Sequence, residues 1–271
     1  MTDKISSEDV YTEEVGDLYD EAGISCNPLP RSFILDLAAR HGVKEGALVL
    51  DIGCANGGLS RELIAKTDCR IEGVELLPLL VEMGNTQNKE LGLDNKFKIQ
   101  LGSMSDIPFE DNHFDFVFCS DVIGLVEDLN LAFKECARVL KPNGKMLVYA
   151  TSFKTSRISE EEANFLGKTL GGDRGKLLTV NEIEVMLDKL FKIEEKSDIG
   201  SQFGQYAIEQ QADKSEAAGN MLKIARLQTW ADKYIEKYGK KTYKIVLAEA
   251  MWSPFILLGK LKPTVFIVKK T

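Results

Sequence analysis

Histidine is nearly absent: His41 and His113 are the only two in 271 residues. Neither has a metal-ligating partner at helical spacing, so nothing here resembles a histidine-built metal centre, and no metal is expected. The five cysteines, Cys26, Cys54, Cys69, Cys119 and Cys136, are scattered, odd in number and without a C-x-x-C pair. That favours reduced thiols over a disulfide framework or a zinc site. No uninterrupted apolar run approaches the ~20 residues needed to cross a bilayer, and the N-terminus shows no basic-then-apolar leader. The most apolar late stretch, 254–261, is broken by Gly259 and Lys260. These absences point to a cytoplasmic protein that does not enter a membrane. Cationic charge is also short, with 34 Lys and Arg against 42 Asp and Glu for a net charge of −8. Phosphate neutralisation needs clustered Lys and Arg, so a nucleic acid is not the expected partner. What remains, 44% hydrophobic and 28% charged, is ordinary globular composition. The length suits one large domain, or a core with a sizeable subdomain.

Residues 48–58 read L-V-L-D-I-G-C-A-N-G-G. The run 47–50 is what a strand covered on both faces of a parallel sheet looks like. Asp51 falls at its carboxyl end, where open α/β sheets bind ligands. Gly53, Gly57 and Gly58 remove side chains where the backbone must turn sharply and a ligand must come close. A helix then begins near Ser60, its N-terminus offering N–H groups to a negatively charged ligand group. About twenty residues further on, I-E-G-V-E ends a second short strand at Glu75, whose two acceptor oxygens suit the two hydroxyls of a ribose. A glycine-rich turn serves nicotinamide and flavin proteins alike. Here the nicotinamide fingerprint is imperfect, because Ala55 occupies the middle slot of the first motif.

These features, with four passages along the chain, resemble the class I S-adenosylmethionine-dependent methyltransferases of the small-molecule, methyltransferase-11-like type. Residues 73–91 match the second strand and helix of that family. Residues 98–109 (K-I-Q-L-G-S-M-S-D-I-P-F) match its third strand and following turn. Residues 113–121 look like its fourth strand, and 131–149, with L-K-P-N-G-K, like its passage into strand five. Four motifs in order over roughly 45–152 are far more specific than any one.

The resemblance implies a Rossmann-like, doubly wound, seven-stranded, mostly parallel sheet that binds S-adenosyl-L-methionine. Asp51 and Gly53 are expected to hold the methionine portion, with Ala55 and Gly57 forming the floor. Glu75 would grip the ribose, Leu76 would pack on the adenine, and Ser103 with Met104 would edge it. The family often has Asp where Ser103 stands. The carbonyl of Cys119 would accept from the cofactor's amino group; Cys54 and Cys119 otherwise read as small buried residues. Asp121 follows strand four, close to the expected methyl position. It is the candidate for orienting the acceptor or taking a proton, with capping a turn as the plain alternative. Tyr19-Asp20 matches a Tyr-Asp pair of similar proteins, where Tyr19 reaches the methionine end or closes the pocket; otherwise it docks its helix on the core. Strand four is followed by Ile123-Gly124-Leu125, with no histidine. Methyl transfer would then rest mainly on proximity and alignment, which can lower a barrier by roughly 7–11 kcal/mol.

The implied domain plan is an N-terminal helical cap (1–44), a Rossmann-like core (45–199), a helical lid insertion (200–262) and the last strand of the core sheet (263–271). A helix is expected over 30–40. A polar loop with one short helix is expected over 153–176, and a capping box at Thr179 and Glu182 opens another helix to 190. Strand six spans 191–199. The segment 200–262 far exceeds the ~two to six residues of a direct connection in such sheets. Residues 208–237 are helix-prone, with Met221, Ile224, Ala225, Leu227 and Trp230 roughly on one face. A second helix over 241–252 is expected to stop at Ser253-Pro254. Family members that act on small molecules often build their acceptor pocket from such insertions. Trp230, Tyr234, Met251, Trp252 and Phe255 could line it or be plain core.

Charge is uneven. The first 21 residues carry eight acids against Lys4, and the chain from Lys237 onward carries eight lysines against Glu249. These read as two solvated faces of opposite sign, or as screens for a charged substrate. The expected function is methyl transfer to a small-molecule acceptor. A protein or RNA methyltransferase is weaker, since no Asn/Asp-Pro-Pro-Tyr motif follows strand four. A non-catalytic cofactor-binding subunit and a nicotinamide oxidoreductase complete the alternatives. The acceptor atom and the oligomeric state are not legible.

Overall fold

The computed structural model describes residues 5, 7–10, 12–22, 31–170, 175–198 and 216–271. The chain divides into two compact units. One comprises Met1–Leu29, Thr151–Val180 and Asp198–Thr264; the other Pro30–Ala150, Asn181–Ser197 and Val265–Thr271.

The second unit is built on a seven-stranded sheet: β1 (Leu48–Ile52), β2 (Arg70–Glu75), β3 (Phe97–Leu101), β4 (Phe114–Ser120), β5 (Leu140–Lys154), β6 (Phe191–Asp198) and β7 (Leu261–Lys270). Their spatial order is β3-β2-β1-β4-β5-β7-β6. The run from β3 to β5 is parallel throughout. Thr271 lies beside Leu190 at one end of β6, and Thr264 beside Asp198 at the other, so β7 runs antiparallel to β6. Parallel strands need crossovers, which the chain supplies as α4 (Gly58–Thr67), α5 (Pro78–Glu90) and α6 (Leu129–Val139). Val49, Leu50, Phe116, Val117, Phe118, Leu147 and Val148 are all buried, because both faces of these strands are covered. α3 (Arg31–Arg40) buries Leu35, Leu37 and Ala38 before Gly42 turns the chain at φ 121. The strand order reverses between β1 and β4, and ligands of doubly wound sheets sit outside the carboxyl ends at that point.

The first unit is helical apart from its strand segments: α1 (Ser7–Val10), α2 (Glu13–Ala22), α7 (Glu160–Leu170), α9 (Glu216–Thr229), α10 (Ala231–Tyr238) and α11 (Lys240–Leu257). Its core gathers Val15, Leu18, Leu227, Tyr234, Ile245 and Val246, with a second cluster of Leu166, Leu177, Ala248, Phe255 and Ile256. The segments of opposite charge meet here. Lys233 and Lys237 pair with Glu21, and Lys241 with Asp9.

Three sequence expectations change. The polar stretch after β5 holds an eleven-residue helix, α7. Ser159 and Glu162 open it as a reciprocal capping box, with Glu162 N–H on Ser159 Oγ at 3.2 Å and Ser159 N–H on Glu162 Oε2 at 3.0 Å. α11 runs through Pro254 rather than stopping before it. Proline in a helix removes one N–H bond and crowds the carbonyl four residues earlier. Burial of Phe255 and Ile256 offsets that cost, and the ladder resumes with Leu258 N–H on Pro254 O at 2.9 Å. Finally, the helix-prone run breaks at Trp230 into α9 and α10. Met221 and Trp230 are both 57% exposed, so the inward face is Ile224, Leu227, Ala231 and Tyr234 instead. Residues 208–215 of that run lie outside the described residues. Elsewhere, α8 (Val180–Leu187) is shorter than expected.

Candidate functional site

The turn after β1 takes a left-handed backbone at every second residue: Gly53 at φ 64, Ala55 at φ 49 and Gly57 at φ 83. Glycine is required at two of the three for steric reasons as well. A Cβ on Gly53 would run into the Val122 side chain, and one on Gly57 into the Phe97 ring. Ala55 bears its Cβ in a conformation that L-residues seldom adopt. Bonds on both sides hold the turn there: Gly53 N–H on the Val74 carbonyl at 2.7 Å, Gly57 N–H on the Cys54 carbonyl at 2.8 Å, and Ala55 N–H on Glu75 Oε2 at 2.9 Å. α4 starts directly from Gly57, with no side chain capping its N-terminus.

Two carboxylates flank this turn. Asp51 is buried, 5% exposed, and accepts a hydrogen bond from the Ser60 hydroxyl on α4. Burial pushes its pKa up to about 7; the Ser60 bond opposes that, and the nearby charge of Glu75 adds to it. Glu75, 8% exposed, takes the Ala55 N–H on one oxygen and the N–H groups of Leu76 (2.8 Å) and Leu77 (3.0 Å) on the other. A carboxylate has about four acceptor positions, so one remains on Oε2 for a ligand. Glu75 therefore shapes the turn as well as facing it, which the sequence reading did not anticipate.

Three supporting residues escaped sequence reasoning. Arg61 reaches back from α4 to the Asn56 carbonyl (2.9 Å), Asn88 Oδ1 (2.9 Å) and Gln87 Oε1 (2.6 Å), tying the turn to α5. Gly84 lets α5 come close, since a Cβ there would stand 2.8 Å from the Asn56 carbonyl oxygen. Ser60 holds Asp51. Only Gly84 carried a signal, a glycine in a helix pattern, which is costly unless something packs against it.

The remaining sequence candidates fall as follows. Leu76 is 53% exposed beside the end of β2. Ser103 and Met104 follow β3; Ser103 O accepts from Asp106 N–H at 3.2 Å, and Met104 is buried. Cys119 is buried on β4, paired with Ile52 of β1. Burial drives the Cys54 and Cys119 thiols far above their ordinary range, so both stay protonated. Asp121 sits just past β4 at φ 57, its N–H on the Tyr149 carbonyl at 2.9 Å. Tyr19 lies on α2, but its side chain is outside the described residues. Thus Asp51, Gly53, Ala55, Gly57 and Glu75 form or flank one turn, with Ala55 bonded directly to Glu75. Trp230, one of the possible pocket residues, is exposed; Tyr234 and Phe255 are core, with Met251 and Trp252 packed against it. Among the described residues no group of His, Cys, Asp and Glu could hold a metal ion. No helix among them is long and apolar enough to cross a membrane.

Residues 50–148, from β1 into β5, match the family model described as a methyltransferase domain. Over that stretch the chain is similar to a class I S-adenosylmethionine-dependent methyltransferase domain. The chain is similar to the sterol 24-C-methyltransferase erg6 of Aspergillus fumigatus, 33% identical over 149 residues, or 54% of this chain and 40% of that one. It is also similar to the sterol 4-C-methyltransferase strm-1 of Caenorhabditis elegans, 33% identical over 44% of this chain and 35% of that one. The chain thus spans less than half the length of these curated relatives. Among solved structures, the fold matches phospholethanolamine N-methyltransferase 2 of Haemonchus contortus, in complex with phosphomonomethylethanolamine and S-adenosylhomocysteine. The TM-score is 0.69 at 20% identity, over 97% of this chain and 58% of that one.

Proposed function

We propose that this protein transfers a methyl group from S-adenosyl-L-methionine to a small-molecule acceptor. The observation that carries the proposal is the turn between β1 and α4, left-handed at Gly53, Ala55 and Gly57 and flanked by Asp51 and Glu75. The residues present suit the cofactor. The free position on Glu75 Oε2 fits a ribose hydroxyl, and Asp51, poised near pH 7, gains from ionising beside an ammonium group. When bound, the cofactor supplies an electrophilic methyl group on a positively charged sulfur.

In this assignment Asp51 and Gly53 hold the methionine end, and Ala55 and Gly57 form the floor. Glu75 grips the ribose, Leu76 packs on the adenine, and Ser103 and Met104 edge it. The Cys119 carbonyl accepts from the amino group. Asp121 orients the acceptor or takes its proton. Both protonated thiols are unsuited to nucleophilic work. Alignment of the acceptor therefore supplies most of the rate. Acceptor selection is assigned to the helical insertion, 200–262, and the compartment to the cytoplasm. Sterol- and amine-modifying relatives share this core, which supports a small-molecule acceptor without naming it.

Calorimetric titration with S-adenosylhomocysteine, with NADH alongside, tests the assignment. Micromolar binding of the first alone is expected. Binding of NADH alone would overturn it in favour of an oxidoreductase.

A further inference from the structure

Tyr149 is buried, 2% exposed, and among the described residues its hydroxyl has no hydrogen-bond partner. Buried hydroxyls in native folds are almost always satisfied, so this one calls for a partner that the described side chains and backbone do not supply. The register of the sheet says where it faces. Tyr149 pairs with Ser120 at the carboxyl end of β4, and Phe118 of the same strand pairs with Asp51 of β1. Side chains alternate along a strand, so Asp51, Ser120 and Tyr149 share one face of the sheet. Asp121 follows at once, its backbone N–H fixed on the Tyr149 carbonyl. Burial, and secondarily the charge of Asp121, push the Tyr149 phenol well above its ordinary range, so it remains a donor at neutral pH.

We propose that Tyr149 and Asp121 together recognise a hydroxyl group on the methyl acceptor, Tyr149 donating to one lone pair of its oxygen and Asp121 accepting its proton. The proposal rests on the methyltransferase assignment above and narrows it to O-methylation of an alcohol or phenol. The chemistry of the pair decides the class. A hydroxyl oxygen has two lone pairs and one proton. With Tyr149 on one lone pair and the proton directed to Asp121, the second lone pair is left to attack. A neutral amine has one lone pair, which a donor such as Tyr149 would occupy, and a carbon acceptor offers neither feature. On transfer the acceptor oxygen bonds to the methyl carbon. The carbon–sulfur bond breaks with its electron pair left on sulfur, and the hydroxyl proton passes to the Asp121 carboxylate.

The test uses matched alcohol and amine pairs: phenol and aniline, cholesterol and its 3-amino analogue, and a long-chain alcohol and amine. Each is given to the full chain with methyl-labelled S-adenosylmethionine, and each is titrated into the S-adenosylhomocysteine complex. Label is expected in at least one alcohol and not in its amine. Tyr149→Phe should weaken binding of that alcohol, and its kcat/KM, at least tenfold. S-adenosylhomocysteine affinity should stay within twofold and Tm should not fall, because the hydroxyl has no partner to lose. Asp121→Asn should lower kcat while leaving alcohol binding within a few fold. Label in amines or at carbon would overturn the proposal, as would no label in any alcohol while S-adenosylhomocysteine binds. A Tyr149→Phe variant that methylates the alcohol at the wild-type rate, or that loses Tm instead, would do the same. Failure to bind S-adenosylhomocysteine would remove the underlying assignment itself.

Discussion

The turn after β1 and the helical unit are held by different kinds of interaction. In the turn, backbone groups do the holding: three left-handed residues, a carboxylate collecting three N–H groups, and glycines at van der Waals limits. In the helical unit, apolar side chains fill a core and exposed ion pairs bridge its charged segments. The first arrangement tolerates almost no substitution at its glycines and leaves acceptor positions open. The second tolerates volume-conserving change.

Substitutions should separate the two. The largest effect is expected from Gly57→Val, which combines a positive φ with a Cβ in the Phe97 ring. It should cost about 3–4 kcal/mol in urea unfolding and abolish S-adenosylhomocysteine binding. Leu227→Ala in the helical core should cost about 2–4 kcal/mol while leaving that affinity within a few fold. If Leu227→Ala abolished binding as Gly57→Val does, the contrast between the regions would fail.

Asp51 gives a pH-dependent comparison. Its pKa is raised on folding, so its contribution to stability is present below its ordinary value near 3.8 and lost as pH rises through about 7. The groups around it are Ser60, Glu75 and the thiols of Cys54 and Cys119. An ammonium-bearing ligand favours the ionised form, so S-adenosylhomocysteine affinity should rise between pH 6 and 8. Asp51→Asn should flatten that rise; a profile unchanged by the substitution would detach Asp51 from the methionine end. The smallest effect belongs to Glu21→Ala, which removes the exposed pairing with Lys233 and Lys237. A slight loss of Tm, erased by added salt, is expected.

The same contrast explains what the sequence disclosed. Asp51, Gly53, Gly57 and Glu75 were legible because the constraints on them are local: strand end, turn, helix start. Arg61, Gly84 and Tyr149 were not, because their roles depend on partners up to some thirty residues away, which no spacing rule supplies. In the helical unit the existence of helices could be read, but their limits could not. Pro254 suggested a stop that buried Phe255 and Ile256 override. Met221 and Trp230 suggested an inward stripe that the break at Trp230 turns outward. The capping box at Ser159 was in the sequence, yet surrounding polarity hid it.

Glu75 is the residue on which the account turns, and its test is the affinity of Glu75→Ala for S-adenosylhomocysteine, measured by calorimetry beside the wild type with Tm recorded for both. Loss of hydrogen bonds to a charged group should weaken binding by about 1.5–3 kcal/mol, in a variant that remains folded. Unchanged affinity would contradict the assignment of Glu75 to the ribose, and with it the placement of the cofactor at this turn.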